Sequence, residues 1–270
     1  LGLDLQIKKE ECRMSLLKLE HVTKRFGGLT AVSDFNLDLQ DGELVGLIGP
    51  NGAGKTTIFN LITNTYLVSE GKIILGDKDI TGMKTDKIAA EGIARTFQNI
   101  RLFGELTAFD NVRTACHLRL KSSVLSAVFG LPGYRKEEKE IDNKAMVLLK
   151  TLGLEKYKND LAGSLPYGLQ RKLEISRALA TNPKVLLLDE PAAGMNPEET
   201  LALAALILRI RKEFNLTVLL IEHDMSLVMS ICERIVVLDH GVTIARGLPK
   251  EIQNNPEVIT AYLGTGDLYA

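Results

Sequence analysis

An α/β fold with a mostly parallel sheet is what this sequence predicts, on three observations. Four short, unbroken apolar runs stand at 44–48, 185–188, 217–221 and 235–238, and runs of that length suit parallel strands covered on both faces. Helical patterns separate those runs, the order expected of a doubly wound sheet. Two further stretches alternate apolar and polar residues, as strands with one wet face do, and predict an antiparallel β edge.

In chain order, alternation at 16–23 pairs with alternation at 35–39 and predicts a hairpin. Leu44-Val45-Gly46-Leu47-Ile48 is the first buried strand. After a glycine-rich link, Thr57-Ile58-Phe59-Asn60-Leu61-Ile62 continues as a helix. Residues 72–80 alternate again. Between 102 and 177 no strand pattern is present, and 137–152 reads as an amphipathic helix behind a turn at Pro132-Gly133. This predicts a helical lobe, 99–177, inserted into a core made of 14–98 and 178–270, the two forming one domain. The clearest helix runs from Pro197 to about 214. Asn196 is its N-cap, Pro197 takes the first helical position, and Glu198 and Glu199 favour the positive end of the dipole.

Composition narrows the function. With 270 residues the chain can bury a full core without disulfides or a structural metal. Lys+Arg number 33 against 34 Asp+Glu, a net charge of -1, which excludes a polycation built for bulk nucleic-acid binding; no nucleic-acid partner is expected. Cys12, Cys116 and Cys232 are odd in number and lack metal-ligand spacing, which points to a reducing compartment and to neither a disulfide framework nor a zinc site. The longest apolar stretch, 201–208, stops at Arg209, short of the roughly 20 residues a membrane span needs. Residues 1–13 read as a disordered leader ahead of Met14.

Gly49-Pro50-Asn51-Gly52-Ala53-Gly54-Lys55-Thr56-Thr57 matches G-x-x-x-x-G-K-[ST], directly after a predicted strand and before a predicted helix. Glycines let backbone N–H groups converge on phosphate oxygens, and the helix N-terminus adds partial positive charge. Lys55 then reaches the β and γ phosphates, and the Thr56 hydroxyl can ligate Mg²⁺. Val185-Leu186-Leu187-Leu188-Asp189-Glu190 is a buried strand ending in two acids, placed where open parallel sheets gather ligands. One acid can hold Mg²⁺, and the next can orient and deprotonate a water that attacks the γ-phosphate. Asp-Glu-Pro is also a good turn, and the phosphate loop in the same chain favours the chemical reading. A third strand ends in Glu222-His223-Asp224, so His223 can donate a hydrogen bond to the γ-phosphate from the same side.

Together these residues resemble the ATP-binding subunit of ABC transporters, over 16–264. In that resemblance 49–57 is Walker A and 185–190 is Walker B. Gln98, in Arg95-Thr96-Phe97-Gln98, is the Q-loop glutamine and joins Thr56 and Asp189 as a metal-site residue. Glu190 is the catalytic base and His223 the switch histidine. Phe26, in Lys24-Arg25-Phe26-Gly27, matches the adenine-stacking position, a contact worth about 1–3 kcal/mol. The signature loop aligns as Leu165-Pro166-Tyr167-Gly168-Leu169-Gln170 against the usual Leu-Ser-Gly-Gly-Gln. Pro166 has neither hydroxyl nor N–H, Gly168 keeps the close-approach role, and a helix follows over 170–180. The D-loop, Ala193-Gly194-Met195-Asn196, carries asparagine where aspartate is usual.

Further spellings resemble the branched-chain amino acid importer subgroup: Gly92 to Gln98, Arg101-Leu102-Phe103, Leu-Pro-Tyr-Gly, Ala192 to Pro197, Ile221 to Met225, Ala261 to Gly264, and extra residues around 117–140. The resemblance implies ATP and Mg²⁺ as ligands, a second ATP-binding subunit, transmembrane permease subunits, indirectly a solute-binding protein, and a peripheral place on the cytoplasmic face of the membrane. Rival readings are a urea importer, a lipopolysaccharide-export ATPase, which the Arg-Thr-Phe-Gln spelling disfavours, and a free-standing P-loop ATPase. The last has no need of Gln98, the 165–170 loop and His223 together.

Overall fold

The computed structural model describes residues 15–119 and 132–263. The expected leader, 1–13, and the middle of the extra segment at 117–140 lie outside the described residues. The chain divides into two compact units, one made of 1–84 with 210–270 and the other of 85–209.

In the first unit, β1 (Ser15–Phe26) and β2 (Leu29–Gln40) form the predicted hairpin, pairing from Leu17↔Leu39 to Phe26↔Leu29 at the tip. After β3 (Leu44–Ile48) and α1 (Lys55–Ile62) come β4 (Glu70–Leu75) and β5 (Lys78–Asp79), giving an antiparallel sheet of order β2-β1-β4-β5. Leu17, Leu19, Leu37, Leu39, Ile73 and Leu75 bury one face, the face the alternation marked. Register shifts between Leu19, Val22 and Lys24 break the period-2 pattern, so both strands run further than alternation showed.

The same unit holds β8 (Thr217–Ile221), β9 (Arg234–Asp239) and β10 (Val242–Gly247), with β3 parallel to both β8 and β9. Every residue of β3 and β8 is buried, which is why each reads as an unbroken apolar run. β10 pairs antiparallel with β9 and escaped prediction, because Val-Thr-Ile-Ala-Arg-Gly carries only one buried residue, Ala245. α7 (Met225–Ile231) follows β8 and is capped by Asp224, whose carboxylate accepts from the Ser226 and Leu227 N–H groups at 2.8 and 3.2 Å. α8 (Pro249–Gln253) and α9 (Pro256–Leu263) close this unit.

The second unit pairs β6 (Ile93–Arg95) parallel with β7 (Val185–Asp189). At three residues, β6 is too short to leave a periodic signal. α2 (Thr85–Glu91) precedes β6. Among the described residues of 102–177 the long elements are helices: α3 (Ala108–Cys116), α4 (Pro132–Thr151) and α5 (Tyr167–Ala180). α3 packs on α4 and α5, and Val112, Leu148, Leu149 and Leu173 are buried.

Two boundaries need correction. Pro132-Gly133 is not a turn before the helix: both residues, the first described after 131, already lie in α4. α5 begins at Tyr167 rather than 170, because Pro166 in extended geometry acts as N-cap residue and its carbonyl accepts from the Leu169 and Gln170 N–H groups. α6 (Pro197–Glu213) starts as expected, with Asn196 and Glu199 exchanging hydrogen bonds at 3.0 Å in a reciprocal cap. Among the described residues, Cys116 and Cys232 are free and buried, and no helix is long and apolar enough to cross a membrane.

Candidate functional site

The phosphate-loop sequence sits between β3 and α1. Helix α1 begins at Lys55 itself, so Thr56 and Thr57 stand in its first turn, where N–H groups have no intrahelical partner. Gly54 has φ +103°, and a Cβ there would lie 2.7 Å from the Ala31 carbonyl oxygen. Gly52 has φ +82° and faces open space. Lys55 is 5% exposed, and its ammonium donates to the carbonyls of Gly49 at 2.7 Å and Pro50 at 2.9 Å. Ala53 is buried, while Asn51 and Thr56 are exposed. A glycine-held loop, a helix N-terminus and an ammonium lying along the loop together fit a polyphosphate.

Two more predicted residues belong to this unit. β8 runs parallel to β3 with Ile221 beside Leu47, so His223 leaves its strand at the end where the loop leaves β3. His223 is exposed, and its N–H donates to the Glu222 carboxylate at 3.0 Å. Phe26 lies at the hairpin tip, and Ala31, just beyond that tip, abuts Gly54. The ring is 40% exposed, so it is no core residue of the hairpin. Tyr66 meets it edge-on at 5.1 Å, and the Lys24 ammonium lies 4.7 Å from its centroid.

The second unit assembles a different cluster. Arg95 ends β6 and Asp189 ends β7, and the guanidinium donates to Asp189 Oδ2 at 2.6 Å with side-chain exposures of 6% and 3%. Burial pushes the Asp189 carboxyl above the ordinary carboxylate range, against the hydrogen bond and charge of Arg95, and the Glu190 charge pushes the same way as burial. Thr96 joins the two strand ends, its N–H donating to the Leu187 carbonyl at 2.9 Å. One step further out, Gln98 Nε2 donates to Glu190 Oε2 at 2.6 Å. Glu190 has φ +46°, a left-handed backbone that costs a non-glycine residue roughly 1–3 kcal/mol and turns the chain sharply off the strand.

Gly168 occupies the first turn of α5, and a Cβ there would meet only the Glu199 carboxylate, at 3.8 Å. Tyr167, 44% exposed, lies alongside Gly194 of the D-loop segment. The structure therefore brings the loop, His223 and Phe26 to one end of the first unit, and Gln98, Asp189 and Glu190 to one end of the second.

Sequence reasoning missed three groups. Arg95 stood only as part of a spelling, although an arginine at the end of a buried strand needs an anion. Arg171 and Glu174, three apart on α5, bond to each other at 2.7 Å, and Arg171 is fully buried; a charged pair between apolar helix positions was the available signal. Tyr262 stood as a terminal cue, yet burial pushes its hydroxyl pKa up to about 12.

Comparison with known proteins agrees with this arrangement. A family model described as ABC transporter matches residues 32–193, and one described as Branched-chain amino acid ATP-binding cassette transporter matches 242–267. The high-affinity branched-chain amino acid transport ATP-binding protein BraF of Pseudomonas aeruginosa is 49% identical over 92% of this chain and 98% of its own length. LivG of Escherichia coli K12, described in the same words, is 47% identical over the same shares. The ADP conformation of an ATP-binding cassette of an ABC transporter superposes with a TM-score of 0.81 at 32% identity, over 93% of this chain and 99% of that one. A phosphate loop after β3, two acids closing β7 and a histidine closing β8, in a chain matched over so much of its length, have one common explanation: the chain belongs to the ATP-binding cassette family of ABC transporter ATPases.

Proposed function

We propose that this ATPase energises uptake of branched-chain amino acids through separate transmembrane permease subunits, at the cytoplasmic face of the membrane. The observation that carries the substrate class is the agreement between the match of 242–267 to the branched-chain cassette model and the names of the most similar relatives. A second ATP-binding subunit and, indirectly, a solute-binding protein complete the machine. The substrate is met by the permease side, since among the described residues no helix crosses a membrane.

In this reading Gly49, Pro50, Asn51, Gly52, Ala53, Gly54, Lys55, Thr56 and Thr57 hold the phosphates of ATP and Phe26 stacks on the base. Glu190 orients and deprotonates the attacking water, His223 donates to the γ-phosphate, and Gly168 allows close approach at the signature turn. Thr56, Gln98 and Asp189 offer oxygen donors, the set a hard divalent cation prefers. Mg²⁺ held there supplies charge neutralisation at the phosphates. Gln98 donates to Glu190 through Nε2, which turns its amide oxygen toward other partners. Arg95 engages Oδ2 of Asp189, so that carboxylate presents a fixed edge. The segment after Gln98 passes closure of the ATPase pair to the permease.

Copurification with a permease pair and reconstitution in liposomes tests the reading. ATP-driven accumulation of leucine, isoleucine or valine is the expected result. A pair that moves urea or exports a lipid, with no amino-acid uptake, overturns it.

A further inference from the structure

Arg171 is the largest fully buried side chain of the described residues, and its bonds go mainly to one place. NH1 donates to the Phe97 carbonyl at 2.6 Å and to Glu174 Oε2 at 2.7 Å. NH2 donates to the Gln98 carbonyl at 2.8 Å and to the Tyr167 hydroxyl at 3.0 Å. Glu174, 5% exposed, accepts at Oε1 from the N–H groups of Phe97 and Arg101, at 3.2 and 3.3 Å. Two carbonyls and two amides of the 97–101 segment are thus gripped by one ion pair on α5.

A buried ion pair is a poor way to gain stability, because its desolvation cost rivals its Coulomb gain. Here the buried Arg171 Nε also has no hydrogen-bond partner. What the pair does supply is geometry. It fixes the backbone of Gln98, whose side chain reaches Glu190 at 2.6 Å, and it ties that backbone through Tyr167 to the first turn of α5.

We propose that Arg171 and Glu174 are positioning residues for ATP hydrolysis: they hold Gln98 against Glu190 and relay displacement of the Tyr167–Gly168 turn to the group that activates water. The proposal rests on the assignment of Gln98 and Glu190 given above. Misplacement of a positioned group by about 1 Å can cost on the order of 100-fold in rate, so loosening the grip should act on kcat.

The test is steady-state hydrolysis by the full-length chain carrying Arg171→Lys, Glu174→Gln or Gln98→Ala, and Arg171→Lys combined with Gln98→Ala. Arg171→Lys is expected to lower kcat about tenfold with KM for ATP changed by less than about twofold. In the Gln98→Ala background the same change is expected to cost less than about twofold, since the relay then has no end. Glu174→Gln, which keeps shape, is expected to follow Arg171→Lys and decides the matter should the lysine variant fail to fold. Equal losses in both backgrounds, or unchanged kcat in either single variant, overturn the relay. Should Gln98→Ala and Glu190→Gln leave kcat untouched, the site assignment fails and the relay with it; should they lower kcat while Arg171→Lys and Glu174→Gln do not, the relay alone fails.

Discussion

The phosphate loop at 49–57 and the acidic end of β7 differ in what they are made of. The loop is a backbone object: its shape comes from left-handed glycines and a helix N-terminus, and its one long side chain lies along its own carbonyls. The end of β7 is a side-chain object, in which Asp189 is set by Arg95 and Glu190 by Gln98, each partner more than 90 positions away in sequence. Backbone donors suit a ligand that must be bound in every state. Side chains that lean on one another can exchange partners, which suits a group that must act once per cycle.

The sharpest way to break this contrast is to remove one group from each side. Glu190→Gln is expected to lower hydrolysis by about 10²–10⁴-fold, the range for a lost general base, while nucleotide affinity stays within about twofold. Lys55→Ala is expected to weaken nucleotide binding about tenfold to a hundredfold, as loss of a charge-assisted hydrogen bond would. Phosphate release and titration with a fluorescent nucleotide measure the two. Equal effects of both variants on binding would erase the division between a holding region and an acting one.

That division also explains what could be read in advance. Nine consecutive residues carry the whole loop, so the motif, its strand and its helix were visible together in the sequence. The buried runs at β3, β7, β8 and β9 were visible for the same local reason. Arg95 opposite Asp189, and Arg171 beneath Gln98, were not, because pairing across strand ends leaves no trace in periodicity. The expected limits of α4 and α5 failed where prolines stand: Pro132 already lies in a helix and Pro166 caps one, roles that look like a turn or a break until the next residues are seen to coil.

Arg95→Met probes the side-chain region by stability rather than rate. It strands a carboxylate whose side chain is 3% exposed, and breaking a buried pair on one side typically costs about 3–5 kcal/mol. The sign with pH follows from the carboxyl. Asp189 is already raised by burial, so its contribution is present below the ordinary carboxylate pKa and is lost as pH rises through the folded value. Without Arg95 that folded value climbs further, because the group that held it down is gone. The deficit of Arg95→Met relative to the parent chain should therefore be small near pH 5 and grow toward pH 8. Urea denaturation across that range checks it, and a deficit independent of pH would mean that Asp189 is not what Arg95 serves. Asp189→Asn placed on top of Arg95→Met should recover part of the loss at pH 8.

Two glycines of the loop give the smallest and most local comparison. At Gly54 a methyl group would meet the Ala31 carbonyl at 2.7 Å with φ at +103°, so both the strand and the loop would have to give. Gly54→Ala is expected to cost about 2–3 kcal/mol of stability, from backbone strain and overpacking together. At Gly52 φ is +82° and nothing lies within 4 Å, so only the left-handed backbone is penalised, at about 1 kcal/mol. That methyl would enter open space, which the proposed phosphate site takes as room for its ligand. Gly52→Ala should thus lose more in nucleotide affinity than in stability, and Gly54→Ala the reverse. A denaturation midpoint and a nucleotide titration on each variant decide it. If the two substitutions rank alike in both measurements, the loop is not shaped from one side by the hairpin and from the other by its ligand.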